Sequence, residues 1–412
     1  MKKNVILGGV LCIVFAFCSC SSDNDSAEIK DPQWNANEQQ TFVAANQMGW
    51  EAMVAVDETQ TVTDNWLLSP VSMYEVMGML SNGAYGSTLE EIQKIMHCEG
   101  ARLANLNQAI AQVNRVLPRI DKKVSFHIAN SVWQTQATRE RMNPDFLKTC
   151  RNDYQADNYV RSSLSNDKTR GDINGWCQQQ TEGKISQFLT DNLPANTQYA
   201  LLNAMYFNGS WARPFPKNGT QEGLFTTADG SQVSKQMMEG SFYVPYAHTE
   251  DFAVAELAYG NGSFCMDLIL PTEGVSLPQC IKTLASRGWE STTALLNNVR
   301  KPILVQMPKM DMTSRQNLLS LWKRMGLEKA VNKDLCDYSG MASGLTLDFA
   351  LQSTCLKVDE QGTEATSSTI AGGNLTTDII RPEVEMRLNR PFLYVIREKT
   401  SGMILLIGAC QQ

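Results

Sequence analysis

Residues 358–373 read VDEQGTEATSSTIAGG, and this run has two features that an ordinary surface loop does not require. No proline occurs from residue 363 to residue 380, and no charged residue lies between Glu364 and Asp378. A strand in the middle of a sheet needs every backbone N–H and tolerates little charge, so both gaps suit such a strand. The run is therefore compatible with a central strand as well as with a loop.

Alternate residues of an extended chain share one face, and on one face of this run every side chain is small. That face carries Thr363, Ala365, Ser367, Thr369 and Ala371. A central strand of about a dozen residues, at roughly 0.5–1.5 kcal/mol for each hydrogen bond, would contribute on the order of 10–20 kcal/mol. This is comparable with the stability of a whole domain. The alternative is a flexible surface linker, which the same small residues also suit.

The N-terminal twenty residues have the pattern of a secretory signal, with two lysines, an apolar run and then Cys20 after a small serine. The apolar run is too short for a good transmembrane helix. Its end resembles a bacterial lipoprotein signal, which implies that Cys20 is acylated; an ordinary signal peptide is the alternative. We therefore predict a signal peptide at 1–20, a polar tether at 21–37 and a single domain at 38–412.

The tether begins SSDND, which resembles the acidic tag that sends lipoproteins to the outer cell surface in some bacteria. The expected location is therefore the outer membrane, on its extracellular side, with the lipid as the contact with the membrane. The formal net charge of the whole chain is −7, and removal of Lys2 and Lys3 with the signal makes it −9. No Lys/Arg-rich run occurs, so nucleic acid is not an expected partner.

Chemical motifs of enzymes and metal sites are absent from the sequence. The three histidines do not have metal-ligand spacing, and the eight cysteines after Cys20 contain no C-x-x-C pair. There is no G-x-S-x-G or G-x-x-x-x-G-K-[ST] motif. We predict no catalytic residue, no metal and no cofactor, and leave disulfides open.

The 43% hydrophobic composition allows one large core, and no linker divides the chain after about residue 37. Apolar periodicity predicts helices at 41–56 and 74–80. Alternating or β-branched runs predict strands at 126–133, 252–257, 264–270, 303–307, 345–358 and 392–396. Helices and strands without a regular βαβ order indicate an α+β fold with large mixed or antiparallel sheets.

Several separated stretches together resemble the serpin family, the serine protease inhibitors and their relatives. They are NWLLSPVSM at 65–73, GAYGSTLEEI at 83–92, INGW at 173–176, TEGKI at 181–185, LNAMYFNGSW at 202–211, DYSG at 337–340, VDEQGTEA at 358–365 and NRPFLYVIR at 389–397. Each match is weak alone, but the ordered set spans roughly residues 40 to 410 and is specific. The resemblance implies three β-sheets, about eight or nine helices and an exposed reactive loop.

The resemblance also assigns roles to residues. The hinge of the reactive loop corresponds to Glu360, Gly362, Thr363, Glu364, Ala365, Thr366, Ser367, Ser368 and Thr369. The shutter, where the main sheet parts above short polar side chains, corresponds to Ser69, Ser72 and Asn203. The breach, where the loop first enters, corresponds to Trp211 and Glu360.

Some of the shutter and breach residues also have structural interpretations that do not depend on the resemblance to the family. The family often has a histidine in the shutter where this chain has Gln352, so the family's hydrogen bonds there are not carried over. From the sequence alone, Ser69 also fits a cap for a helix that begins at Pro70, and Trp211 fits an ordinary core aromatic.

The implied activity is inhibition by a suicide-substrate mechanism. A serine or cysteine endopeptidase would cut the loop and form an acyl-enzyme, and the loop would then insert and distort the trapped enzyme. Counting from Gly362 places the scissile bond at Thr376–Thr377, with Leu375 and Arg381 as alternatives. A monomer with the endopeptidase as its covalent partner is expected. A non-inhibitory serpin-fold binding protein is the alternative function.

Overall fold

A computed structural model describes residues 28–30, 32–58, 64–347, 349–363 and 380–412. These residues form ten α-helices and fifteen strands in a mixed arrangement, which confirms the predicted α+β class. The helices are α1 Ala36–Asp57, α2 Pro70–Ser81, α3 Gly86–Ile95, α4 Leu103–Val116, α5 Gln136–Arg141, α6 Pro144–Tyr154, α7 Asp167–Gln180, α8 Leu277–Arg287, α9 Trp289–Ala294 and α10 Leu318–Arg324.

The strands account for most of the remaining described chain. They are β1 Trp66–Leu68, β2 Val124–Thr135, β3 Asp157–Arg161, β4 Tyr199–Ser210, β5 Gln221–Thr226, β6 Gln232–His248, β7 Phe252–Ala258, β8 Phe264–Pro271, β9 Arg300–Pro308, β10 Met310–Asn317, β11 Ala350–Asp359, β12 Gly362–Thr363, β13 Val384–Arg387, β14 Phe392–Glu398 and β15 Ile404–Cys410.

The long strand β6 belongs to two sheets. Its residues 237–245 pair with β9, and residues 246–248 pair with β7. One of these sheets contains β1, β15, β14, β8 and β7, and the other contains β5, β9 and β13. With the separate main sheet, whose order is β10-β11-β12-β4-β2-β3, the described chain has the three sheets that were expected.

Two strands in the middle of the main sheet, β4 and β11, are in direct contact. These strands run parallel and pair directly over six residue pairs, from Leu201 with Ala350 to Tyr206 with Cys355. We call this contact the seam. The sheet is covered by helices on both faces, because α2 packs against β4 within the larger core and α7 covers the opposite face with Ile173, Trp176 and Cys177.

Local sequence signals explain where α2 begins. Ser69 caps this helix by accepting a hydrogen bond from the Ser72 N–H, and Pro70 is its first residue, as predicted. The predicted strand at 345–358 is wrong in its first residues, because β11 begins at Ala350. Leu345 and Leu347 are buried in the core from an irregular segment that follows Gly344, whose φ of +68° ends any extended run.

The N-terminal part of the described chain contacts the domain before α1. The Ile29 N–H donates to the Arg119 carbonyl at 2.8 Å, and Asn261 donates to the Glu28 carboxylate at 3.2 Å. The predicted domain start at residue 38 falls inside α1. Among the described residues, no helix combines the length and apolar character needed to cross a membrane. The eight described cysteines are free thiols, and six of them are buried.

Candidate functional site

Strand β12 is a two-residue wedge at one end of the seam. It pairs antiparallel with β11 at Val358 and Asp359, and antiparallel with β4 at Gly209 and Ser210. Its first residue, Gly362, has a φ of +150°, in a region that residues with a side chain rarely adopt. A Cβ there would collide with the Gly209 carbonyl, so only glycine fits the wedge.

Thr363, the second residue of the wedge, is fully buried. Its hydroxyl lies 2.6 Å from the hydroxyl of Tyr259. Burial raises the pKa of Tyr259 above its usual range, so this phenol stays protonated and can hydrogen-bond at physiological pH. The Tyr259 ring also stacks on Trp211, with centroids 4.3 Å apart and ring planes 9° apart. Thr363 therefore lies in a pocket formed by the stacked rings of Tyr259 and Trp211.

Trp211 fastens the turn between β11 and the wedge. Its indole N–H donates to the Asp359 carbonyl at 3.0 Å, and its backbone N–H donates to the Gln361 carbonyl at 2.9 Å. The Phe215 N–H donates to the Glu360 carbonyl at 2.9 Å. Three consecutive carbonyls of this turn thus accept hydrogen bonds from Trp211 and Phe215, which follow β4. Trp211 is therefore not only a packed core aromatic, because it also hydrogen-bonds the turn.

Glu360 holds the same turn through its side chain. Its carboxylate lies 2.7 Å from the Lys309 ammonium, and the Thr220 hydroxyl donates to it at 2.6 Å. Burial acts to raise the pKa of Glu360, but the hydrogen bonds from Lys309 and Thr220 outweigh it and leave the pKa below its ordinary value. The carboxylate is therefore ionised at neutral pH and anchors the turn that precedes the wedge.

Gln352 lies on β11, on the face of the seam that α2 covers. Its side-chain oxygen accepts from the Ser69 N–H at 2.9 Å, and its amide nitrogen donates to the Ser69 carbonyl at 3.0 Å. Two residues further along β11, the Thr354 hydroxyl donates to the Leu67 carbonyl at 3.2 Å. Gln352 occupies the position at which the family often has a histidine, and its side chain makes two hydrogen bonds there.

Asn203 faces Gln352 across the seam, on β4. Its amide nitrogen donates to the side-chain oxygen of Asn130 at 2.9 Å, and Asn130 in turn donates to the Glu75 carboxyl at 2.6 Å. Ser72 lies on α2 and is buried, and its hydroxyl has no hydrogen bond with any described residue. The structure thus brings Ser69, Asn203 and Gln352 together around the start of α2.

Other predicted residues lie outside the described residues. These are Cys20, Glu364, Ala365, Thr366, Ser367, Ser368, Thr369, Leu375, Thr376 and Thr377. Arg381 is described and exposed, three residues before β13. Sequence reasoning missed Tyr259, Lys309, Asn130 and Glu75, which approach the site from distant segments. A glutamate within the apolar run MYEVMGML was the available signal for Glu75.

A separate cluster of Glu256, Cys265 and Asp267 has metal-ligand geometry, with candidate ligand atoms within 4.8 Å of one another. Its carboxylates are paired with cations of the chain itself. Arg397 lies 2.6 Å from both Glu256 and Asp267, and Lys399 lies 2.6 Å from Glu256. The cluster is therefore a buried ion-pair network inside the sheet of β7, β8 and β14.

The family model described as Serpin (serine protease inhibitor) matches residues 43–412. The chain belongs to the serpin family. This match covers every segment that builds the wedge, the seam and the ion pair of Glu360.

The relatives agree with the family model at low identity. Human Serpin B11 is 27% identical over 375 residues, which cover 85% of this chain and 94% of that protein. The horse leukocyte elastase inhibitor is 26% identical over 356 residues, covering 84% and 92%. The native-state crystal structure of the thermophilic serpin tengpin matches with a TM-score of 0.81 and 23% identity, over 94% of this chain and 97% of that one. Human glycosylated kallistatin matches with a TM-score of 0.81 at 20% identity, over 92% and 99%.

Proposed function

We propose that this serpin inhibits a serine or cysteine endopeptidase as a suicide substrate, with the run after Thr363 inserting into the seam after cleavage. The observation that carries the proposal is the wedge itself. Gly362 and Thr363 already pair with β4 and β11 at the end where insertion would begin. The next residue of the run would enter the seam with both neighbours in place.

Strand direction supports the same conclusion. The seam is a parallel pair, whereas the wedge is antiparallel to both of its neighbours. A strand that continued the wedge would replace six parallel residue pairs with antiparallel pairs on its two sides. Antiparallel pairing is slightly more stable per residue, and the number of backbone hydrogen bonds would increase. Insertion would therefore lower the free energy of the protein, which supports the proposal because trapping a protease requires it.

The residues at the predicted scissile bond support a target protease that accepts small side chains. A scissile bond at Thr376–Thr377 would suit an elastase-like or subtilisin-like endopeptidase, or a cysteine protease. One relative is named leukocyte elastase inhibitor in horse and in the frog Xenopus laevis, which is consistent with that class. Leu375 would instead suit a chymotrypsin-like enzyme, and Arg381 a trypsin-like one. The protein supplies no catalytic residue in this scheme.

The proposal includes a lipid anchor. We propose that the signal ends before Cys20, that this cysteine is acylated, and that the inhibitor is tethered at the outer surface of a bacterial outer membrane. The lipoprotein-like pattern around Cys20 supports this location. Mass spectrometry of the N-terminal peptide from the native host would detect the acyl chains, and an unmodified mature N-terminus would refute the anchor.

The test of inhibition is incubation with elastase-, subtilisin-, chymotrypsin-, trypsin- and papain-like proteases. A covalent complex that survives denaturant, together with a released peptide that begins at residue 377, is the expected result. Protease inactivated at its nucleophile is the control, and it should give no complex. Cleavage without a complex and without a rise in thermal stability would favour a non-inhibitory binding protein.

A further inference from the structure

We propose that Glu75 is a positioning residue for loop insertion, because it holds the β4 side of the seam to α2 and so sets how readily the seam opens. This inference rests on the proposed function in that the seam is taken to be the insertion site. Glu75 lies on α2 and is 1% exposed. The described groups that act on its pKa are the amides of Asn130 and Asn114, and no cation is among them.

Helix α2 is attached to both sides of the seam. On the β11 side, the Gln352 side chain makes two hydrogen bonds with the backbone of Ser69. On the β4 side, Glu75 accepts from Asn130 of β2, and Asn130 accepts from Asn203 of β4. Because β4 and β11 move apart when a strand enters between them, α2 cannot keep both attachments. Opening therefore requires one of them to stretch or break.

The two attachments differ in chemistry. The Gln352 attachment is between neutral groups at any pH, whereas the other ends on a carboxyl. Burial raises the pKa of Glu75 to about 8, although hydrogen bonds from Asn130 and Asn114 act to lower it. Below that pH the carboxyl is neutral and the closed sheet carries no charge at this point. Above it, a buried carboxylate is costly in the closed sheet and gains water when the seam opens.

Among the described titratable groups that face Glu75, only Glu75 itself is expected to change charge between pH 6 and pH 9. Helix α2 packs against α1, α3, α4, α6, β4 and β15. From α6, Tyr154 and Cys150 face this region, and burial raises both pKa values well above the neutral range. Asp153 of α6 acts on Tyr154, and burial raises its pKa as well. From α4, β2 and β4 come neutral amides, and no described residue of α1, α3 or β15 has a hydrogen bond or ion pair with Glu75.

Uptake of a synthetic peptide measures seam opening without any protease. The probe is a fluorescent peptide with the sequence of residues 363–375, and its rate of incorporation is followed by anisotropy between pH 6 and pH 9. A carboxyl with a pKa near 8 is almost fully protonated at pH 6 and about nine-tenths ionised at pH 9. Partial hydration during opening that lowers this pKa by about one unit would raise the wild-type rate about tenfold over this range.

Glu75→Gln keeps a hydrogen-bond acceptor for Asn130 but cannot ionise. We expect its uptake rate to stay flat and equal to the wild-type rate at pH 6. Asp153→Asn and the exposed Glu90→Gln are matched controls that should retain the tenfold rise. Asn130→Ala, which detaches β2 and β4 from α2, should take up peptide several-fold faster at pH 6. If Glu75 had only a packing role, the Glu75→Gln substitution would leave the pH dependence of peptide uptake unchanged.

Two results would overturn the inference: a Glu75→Gln variant with the wild-type pH dependence, or a wild-type protein that takes up no peptide at any pH. The proposed inhibitory function is tested separately by complex formation. A protein that shows the expected pH profiles but traps no protease would retain the role of Glu75 in seam opening and lose the inhibitory function.

Discussion

The hydroxyl groups of Thr363 and Tyr259 lie 2.6 Å apart in the interior, although 104 positions separate the two residues in the chain. Tyr259 follows β7 and reaches the main sheet beside Trp211. The second residue of the wedge is therefore held by a residue from outside the main sheet, which fixes the depth of the wedge.

Tyr259→Phe tests this contact. The substitution leaves the buried Thr363 hydroxyl without its partner, which should lower the free energy of unfolding by about 1–3 kcal/mol. Urea denaturation measures the change. Tyr85→Phe is the matched control, because Tyr85 is 54% exposed and its loss of a hydroxyl should change stability by no more than about 0.5 kcal/mol. Equal effects of the two substitutions would contradict the buried contact.

Thr363→Arg tests whether the wedge is part of an inserting strand. The side chain at this position is fully buried, and an unpaired guanidinium there should cost roughly 3–5 kcal/mol. Insertion would then be slower than hydrolysis of the acyl-enzyme, so the variant should be cleaved as a substrate. The ratio of inhibitor consumed to protease inhibited measures the partition. Glu383→Arg introduces the same side chain at an exposed position after the loop and should leave that ratio unchanged.

Glu360→Gln tests the ion pair with Lys309 through its pH dependence. The pKa of Glu360 is lowered in the folded protein, so its contribution to stability is fully present above the ordinary carboxyl pKa. The contribution is lost as the pH falls through the lowered value. We expect the variant to be about 1 kcal/mol less stable at pH 7 and equal to wild type at strongly acidic pH. Glu222→Gln, at an exposed site, should show no such difference, and a Glu360→Gln deficit that persisted in acid would refute the assignment.

Arg397→Met tests the buried network of β7, β8 and β14. The substitution keeps an aliphatic side chain but leaves Glu256 and Asp267 buried with one fewer cation, which should cost about 3–5 kcal/mol. Thermal unfolding at neutral pH measures this loss. Arg387→Met removes an exposed arginine that also has two carboxylate partners, and should cost no more than about 1 kcal/mol.

Sequence reasoning predicted the parts of the site that local chemistry encodes. The helix start at Ser69 and Pro70 follows from capping, and the absence of proline after Thr363 and of charge after Glu364 suits a central strand. The glycine at 362 was expected as part of the hinge, and the structure gives it a physical reason in the close approach of Gly209.

Contacts between distant segments could not be predicted in the same way. Tyr259 and Lys309 have no local pattern that points to the hinge, because their roles depend on how two sheets meet. The register that places Asn130, Asn203 and Gln352 side by side across β2, β4 and β11 is likewise a property of strand pairing. The apolar residues Leu345 and Leu347 misled the strand prediction, since burial in a core and pairing in a sheet select the same side chains.

The two hydrogen bonds between Gln352 and Ser69 use only main-chain atoms of Ser69. Mutations at the two positions should therefore have unequal consequences over evolutionary time. Any residue at 69 except proline that kept the backbone in place would preserve the attachment of β11, and only one without a capping side chain would lose the helix cap. A change at 352 would have to supply both a donor and an acceptor at once, so the genetic information for this attachment resides almost entirely in a single codon.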